Sequence, residues 1–285
     1  MNDTEILIVG AAGQLGVALQ ARYPGAKAVD SAVLDITSSE AVREFDWTSI
    51  TVVLNAAAYT NVDRAETAEG RIAAWNVNAA GVRNLAEAAL QHDLTLVHIS
   101  SDYVFDGTNE NHLEREPFSP LSVYGQSKAA GDTVASLVSK HYILRATWII
   151  GEGKNFVRTM LGLGQKGIAP TVVADQVGRL TFTSELIRII DHLLTSNAPY
   201  GTYNATNSGQ AASWADIARE IFRLSGYDLA VTDTSTAQYF AGKEGVAPRP
   251  LNSIMNLEKL RLTGFKSRDW HDDLKDYAEK ERSHD

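Results

Sequence analysis

Ile6-Leu7-Ile8-Val9-Gly10-Ala11-Ala12-Gly13-Gln14-Leu15-Gly16 is the stretch on which the fold turns. Four apolar residues run without interruption into a G-x-x-G-x-x-G spacing, and an amphipathic segment follows. The apolar run predicts a strand buried on both faces. The glycines predict a tight turn whose backbone can come close to a pyrophosphate. The segment after them predicts a helix whose first N–H groups and positive dipole end face that anion. A glycine triplet alone is common. Placed between a strand and a helix, it predicts a dinucleotide site built from Gly10, Gly13, Gln14, Leu15 and Gly16.

Outward from this turn, short apolar runs recur at 26–29, 52–55, 94–100 and 142–145. Helical stretches lie between several of them, notably 77–91 and 124–140. Apolar strands alternating with helices imply a parallel sheet covered on both sides. Right-handed crossovers then give an α/β fold of the doubly wound, Rossmann type. The chain after 150 reads differently, with helices at 155–164 and 213–224 among segments rich in Gly and Pro. The expected division is a dinucleotide-binding domain over 1–150, with 181–196 returning to it. Residues 151–180 and 197–285 are expected to form mainly a small C-terminal substrate lobe.

Composition narrows the function. The 285 residues contain no cysteine, which excludes disulfides, thiolate metal sites and Cys nucleophiles. A net charge of −9 gives no general reason to hold nucleic acid or an anionic membrane. No apolar run approaches the roughly 18 residues of a membrane span. Met1-Asn2-Asp3-Thr4-Glu5 lacks the basic segment of a signal peptide, so a cytoplasmic protein is expected.

Asp30 closes the second apolar run, 20 residues after Gly10 (30 − 10). An acid there can accept hydrogen bonds from the adenosine ribose, as in NAD-binding proteins. It serves equally well as a cap of the Asp30-Ser31 turn. Asp35-Ile36 can border the adenine instead, and both NADH and NADPH stay compatible with the sequence. Ala56, Ala57 and Ala58 follow the third apolar run, where small residues let the chain pass close to a cofactor. Asn78, in the next helical stretch, is expected to tie neighbouring strand ends together.

Tyr124-Gly125-Gln126-Ser127-Lys128 puts a phenol and an ammonium one helical turn apart on the same face. A free tyrosine ionises near pH 10, and a cation beside it should lower that value. Lys128 could also hold the nicotinamide ribose hydroxyls. Y-x-x-x-K occurs often by chance. His98-Ile99-Ser100-Ser101 adds weight, because it brings Ser101 to the carboxyl edge of the sheet, where ligands bind in such folds. Ser101 can orient a reacting oxygen. The ordered set of glycine turn, strand-end Ser, Tyr and Lys predicts hydride transfer from a nicotinamide, with Ser101, Tyr124 and Lys128 as catalytic residues.

These motifs resemble the extended short-chain dehydrogenase/reductases, and within them the nucleotide-sugar 4-ketoreductases. The resemblance runs from Ile6 to about Tyr277. It rests on the glycine turn and on Asn55-Ala56-Ala57-Ala58-Tyr59-Thr60 with Val62-Asp63 and Ala65-Glu66. It also rests on Pro120-Leu121-Ser122-Val123-Tyr124-Gly125 and Arg249-Pro250-Leu251-Asn252-Ser253. Its most specific part is Ser100-Ser101-Asp102-Tyr103-Val104-Phe105-Asp106-Gly107.

The resemblance implies that NADPH or NADH reduces the C4 ketone of a dTDP-linked 4-keto-6-deoxy sugar. Tyr124 would protonate the oxygen, Lys128 would lower the Tyr124 pKa, and Ser101 would bond the carbonyl. Asp102, Tyr103 and Trp148 would line the sugar pocket, and Arg249 would pair with the diphosphate. A homodimer, or a fused or associated epimerase, is the implied partner. Some members carry a carboxylate on the first helix that binds Mg²⁺. Ala18 stands there, so no metal is expected. Two further departures are Ser101, where Thr is usual, and Arg179-Leu180 in the segment 175–181. Two other readings share the fold: a nucleotide-sugar epimerase or dehydratase, and a non-catalytic regulatory subunit of the methionine adenosyltransferase type. Asp102 matches a dehydratase acid, but Tyr103 follows it in place of a second acid.

Overall fold

The computed structural model describes residues 2–196 and 198–282. Strands β1 (Ile6–Val9), β2 (Lys27–Val29), β3 (Val52–Asn55), β4 (Thr95–Ser101) and β5 (His141–Ala146) alternate with helices. These are α1 (Gln14–Arg22), α2 (Ser39–Glu44), α3 (Ala68–Trp75), α4 (Val82–Gln91) and α5 (Val123–Ala135). The second half contributes β6 (Ile149–Ile150), α6 (Phe156–Gln165), β7 (Thr171–Val173), β8 (Val177–Gly178), β9 (Thr181–Phe182) and α7 (Thr183–Thr195). It continues with β10 (Gly201–Asn204), β11 (Ala212–Ser213), α8 (Trp214–Ser225), β12 (Thr232–Thr234), α9 (Thr236–Tyr239), α10 (Glu258–Leu262) and α11 (Trp270–Arg282).

Six strands form one parallel sheet in the order β10-β5-β4-β3-β1-β2. The order reverses about β1, as a doubly wound sheet requires. Successive residues of β1 enter opposite cores, which explains its unbroken apolar run. Ile6 and Ile8 pack with Leu15 and Leu19 of α1 and with Leu186, Ile189 and Ile190 of α7. Leu7 and Val9 pack with Val42 of α2 and Leu85 and Ala89 of α4. A third core joins α6, α8 and α11 around Val157, Ile221, Phe222, Trp270 and Leu274, and builds the lobe beside the sheet.

Some details depart from the periodicity. The segment expected to be helical at 77–91 is π-helical over Asn76–Gly81 before α4 begins. The helix expected to reach 140 ends at Ala135. The Thr133 hydroxyl donates back to Ala129 O (2.9 Å) and the Ser136 hydroxyl to Thr133 O (2.7 Å), a local competition that favours a helix end. Within 181–196, α7 covers the main sheet, whereas β9 pairs with β6 outside it. The sixth strand of the main sheet is Gly201–Asn204, beyond that segment.

Candidate active site

The carboxyl ends of β1, β2 and β3 open onto a cleft of about 290 Å³. Gly10, Gly13, Asp30, Asp35, Ile36, Ala56, Ala57 and Ala58 all line it, joined by Leu34 and Val77. Gly10 has φ +82°, and a Cβ there would lie 2.5 Å from Ala57 N, so only glycine fits between β1 and the turn after β3. Gly13 is the N-cap of α1 and brings no side chain to its first N–H groups. Those donors and the dipole end suit the pyrophosphate of a dinucleotide. Gln14, Leu15 and Gly16 lie outside the lining. Gln14 Nε2 donates to Lys154 O (3.3 Å), Leu15 enters the core, and Gly16 lets α1 approach Gly10 O, which a Cβ would meet at 2.2 Å.

Replacing Gly10 by Ala should cost about 3 kcal/mol, from a left-handed backbone and a backbone collision together. Thermal unfolding should fall by roughly 6–12 °C. NADH titration should show at least a tenfold loss of affinity. A variant with wild-type melting and binding would show that the turn opens freely.

The second half of the site lies where β4 ends. Ser101 Oγ donates to Asp102 Oδ1 (3.0 Å) and accepts from Tyr103 N (3.2 Å). Asp102 Oδ2 accepts from Ser253 Oγ (2.5 Å), which ties the 249–253 segment of the lobe to the end of β4. Ser122 caps α5 by accepting from Gly125 N (3.1 Å), and Glu66 Oε1 accepts from Val123 N (2.9 Å). This fixes Tyr124 in the first turn and Lys128 one turn on. Gly125 permits the contact of α5 with Tyr103, since a Cβ would meet Tyr103 O at 2.2 Å. The rings of Tyr103 and Tyr124 then meet edge to face, 5.4 Å apart at 80°.

Burial controls the titration of this group. It pushes Tyr124 up to about 12; the Ser101 hydroxyl opposes the rise, and Asp102 and Asp132 add to it. The expected lowering of Tyr124 by Lys128 is therefore corrected. Lys128 is 1% exposed and donates to Ile99 O (2.6 Å). Burial brings Lys128 itself down to about 8, with Asp132 pulling the other way. Burial also raises Asp102 to about 6, against the hydrogen bonds from Ser253 and Ser101.

Two expected substrate residues have partners that sequence reading missed. Trp148, with φ +44°, stacks on Trp214 of α8 with centroids 3.9 Å apart. A Cβ on Gly178 would touch Trp148 Cζ2 at 3.1 Å and Ser253 Cβ at 3.2 Å, so the indole lies beside the residue that holds Asp102. Arg249, expected to face a diphosphate, donates here to both carboxylate oxygens of Asp63 (2.8 and 2.9 Å) and to Ala247 O (2.7 Å). Its guanidinium also lies over Phe240, 4.6 Å from the ring centroid. It is close enough to Tyr103 to act on that phenol's charge.

Asn78 ties elements together as expected, though not strand ends. It accepts from Tyr59 N (2.8 Å) and donates to Tyr59 O (3.1 Å) and Ser127 Oγ (3.0 Å). The π-helical turn thus anchors the chain after β3 to α5. Ser253 was legible only as part of the quoted 249–253 segment, and nothing in the local pattern marked Trp214.

A glycine turn under a cofactor cleft, a strand-end Ser, and a buried Tyr and Lys on one helix define an extended short-chain dehydrogenase/reductase. Comparison with known proteins narrows this class. The family model described as the RmlD substrate binding domain matches residues 4–283. The dTDP-4-dehydrorhamnose reductase of Aggregatibacter actinomycetemcomitans is 39% identical over 300 residues, covering 96% of this chain and 99% of the relative. The crystal structure of such a reductase from Clostridium acetobutylicum has a TM-score of 0.88 at 39% identity, covering 97% of this chain and 99% of the other. The Bacillus anthracis reductase solved with NADP has a TM-score of 0.86 at 36% identity, covering 94% and 96%. The chain belongs to the dTDP-4-dehydrorhamnose reductase family. Among the described residues, no helix is long and apolar enough to cross a membrane.

Proposed function

We propose that the chain reduces the C4 ketone of dTDP-4-dehydro-L-rhamnose to give dTDP-L-rhamnose, with NADPH or NADH as the reductant. The observation that carries this reading is the arrangement of Tyr124 and Lys128, buried one turn apart on α5, with Ser101 at the end of β4. A nicotinamide dinucleotide bound along Gly10–Gly16 would supply the hydride to the ketone carbon. The carbonyl π pair becomes an oxygen lone pair, and Tyr124 supplies the proton that completes the hydroxyl. Ser101 positions that oxygen. To do so its hydroxyl must turn from Asp102 Oδ1, to which it donates in this structure, toward the substrate oxygen; Ser253 then still holds Asp102 in place. Trp148, backed by Trp214, walls the sugar side. Arg249 offers further N–H donors to a diphosphate, with Asp63 fixing the guanidinium.

The dehydratase reading is weaker. Asp102 is followed by Tyr103 where a dehydratase would carry a second acid, and it already accepts from Ser101 and Ser253. The cysteine-free composition is compatible with the reducing cytoplasm, and this reading puts the enzyme there. Steady-state oxidation of NADH and NADPH, measured with the dTDP-4-keto sugar, tests the proposal. Net consumption of the reductant, one for each sugar reduced, is expected. A protein that binds the dinucleotide and leaves the sugar unreduced would sink it.

A further inference from the structure

A buried imidazole lies between the end of β4 and the 249–253 segment of the lobe. His112 is fully buried, in the chain between β4 and α5. Its ring stacks on Phe105, with centroids 4.7 Å apart and planes 5° from parallel. Its backbone pairs with the chain just beyond Ser253. His112 N donates to Ile254 O (2.8 Å), and Asn256 N donates to His112 O (2.9 Å).

Both ring nitrogens face acceptors. Nδ1 lies 3.0 Å from each carboxylate oxygen of Glu116, and Nε2 lies 3.2 Å from Asn252 O. A carboxylate and a carbonyl only accept, so the two bonds form together only when each nitrogen carries a hydrogen. That form is the imidazolium, and Glu116 is its counter-charge. Other charged groups surround the ring. Asp102 and Asp106, beyond β4, are both lowered by its charge. Arg145 of β5 lies over the Phe105 ring, 5.1 Å from its centroid, and Arg179 donates to Met255 O (3.3 Å). Glu114 is turned away, accepting from Asn204 N (3.1 Å).

The bond to Asn252 O acts on a segment with two contacts at the site, Ser253 on Asp102 and Arg249 on Asp63. A second path runs from the same acid: Asn109 Nδ2 donates to Glu116 Oε1 (2.8 Å), and Asn252 Nδ2 donates to Asn109 O (2.7 Å).

We infer that His112 is a positioning residue for the sugar nucleotide: its imidazolium, clamped between Glu116 and the Asn252 carbonyl, fixes the 249–253 segment against the end of β4. This rests on the proposed reaction in taking Arg249 and Ser253 as substrate-side residues. An imidazole keeps both hydrogens only on the acid side of its titration. Loss of one breaks a tie to the segment, so the sugar nucleotide binds more weakly as the pH rises. His112 does not line the cofactor cleft, and its replacement should spare the dinucleotide.

The probe is dTDP-glucose, which offers the nucleotide and a hexose but no ketone to reduce. Calorimetric titration of the wild type should show roughly fivefold weaker binding at pH 8.5 than at pH 6.0, the worth of about one hydrogen bond. His112→Gln has no second ring hydrogen to lose. It should bind with the weaker affinity at both pH values, while its NADH affinity at pH 6.0 stays within about twofold of wild type. Glu116→Gln removes the counter-charge and should move the loss of affinity to lower pH. Equal wild-type affinity at the two pH values would overturn the inference, and so would a full pH response in His112→Gln. A His112→Gln protein that loses NADH and dTDP-glucose alike would overturn it too, by making the ring a general strut. If that variant does not fold, an unmoved pH response in Glu116→Gln overturns it. Absence of dTDP-glucose binding at any pH would overturn both this inference and the proposed reaction. Binding with the expected pH response, in a protein that leaves the dTDP-4-keto sugar unreduced, would remove the reaction alone.

Discussion

Tyr124→Phe is expected to lower turnover about 10³-fold while leaving NADH affinity within a factor of about three. Proton transfer by a positioned side chain is typically worth 10²–10⁴ in rate. Here that whole contribution falls to one group. Burial holds the phenol near 12, two units above its ordinary value, so it is fully protonated from pH 6 to 9. That is the state a donor needs in the direction of reduction, and a pKa nearer that of the nascent alkoxide lets the proton pass late, when charge has developed. Phe keeps the ring that packs against Tyr103 and removes only the hydroxyl. A cofactor that lies over the glycine turn should scarcely notice. Single-turnover and steady-state rates, with fluorescence titration of NADH, check both halves. A rate within tenfold of wild type would assign the proton to another donor.

The high Tyr124 value also sorts the pH profile. Its own titration lies too far up to shape the rate between pH 6 and 9. A loss of activity on an apparent pKa near 8 therefore belongs to Lys128. Lys128→Arg, whose guanidinium stays charged, should move that limb out of range even if the rate is lower.

What local pattern could show and what it could not divides along physical lines. The sheet was legible because both faces of β1 and β3 are covered, which forces unbroken apolar runs. The lining of the cleft was legible because Gly10, Asp30 and Ala56 each follow a strand directly, and strand ends converge on one edge. Strand Gly201–Asn204 lies at the sheet's edge and carries one large apolar residue, Tyr203, too little for a periodicity to register. The titration of Tyr124 was misread because spacing reports that Lys128 is one turn away, but not that both groups are buried. The Asp102–Ser253 and Trp148–Trp214 contacts join residues far apart in the chain, and no short window contains both partners. Arg249 was identified as a cation near the site; its pairing with Asp63 is likewise long-range.

Lys128→Met should abolish most activity and yet make the protein more stable at pH 7. Lys128 is 1% exposed and its recorded hydrogen bond goes to Ile99 O. Its folded pKa is about 8 against an ordinary value near 10.5, because burial penalises the ammonium. The unfolded chain therefore binds the extra proton between about pH 8 and 10.5. Stability contributed by this group rises with pH across that window, and below it the folded protein bears the whole penalty, about 3 kcal/mol. Methionine has similar length and no charge to desolvate. Asp132 is not stranded by the change, since Arg145 Nε donates to it at 2.9 Å. The Ile99 carbonyl does lose its partner, which costs roughly 1–2 kcal/mol. The net gain is about 1–2 kcal/mol, or a thermal midpoint roughly 3–6 °C higher at pH 7. That advantage should shrink as the pH rises from 8 towards 10, where the wild-type amine sheds its proton. Turnover should fall at least 10²-fold if Lys128 holds the nicotinamide ribose as proposed, because that cation is gone. Melting curves at pH 7 and pH 9.5 on wild type and variant decide the matter. A Met variant that melts below wild type at pH 7 would make Lys128 a strut of α5; one that melts above it marks a buried charge kept for chemistry at the expense of the fold.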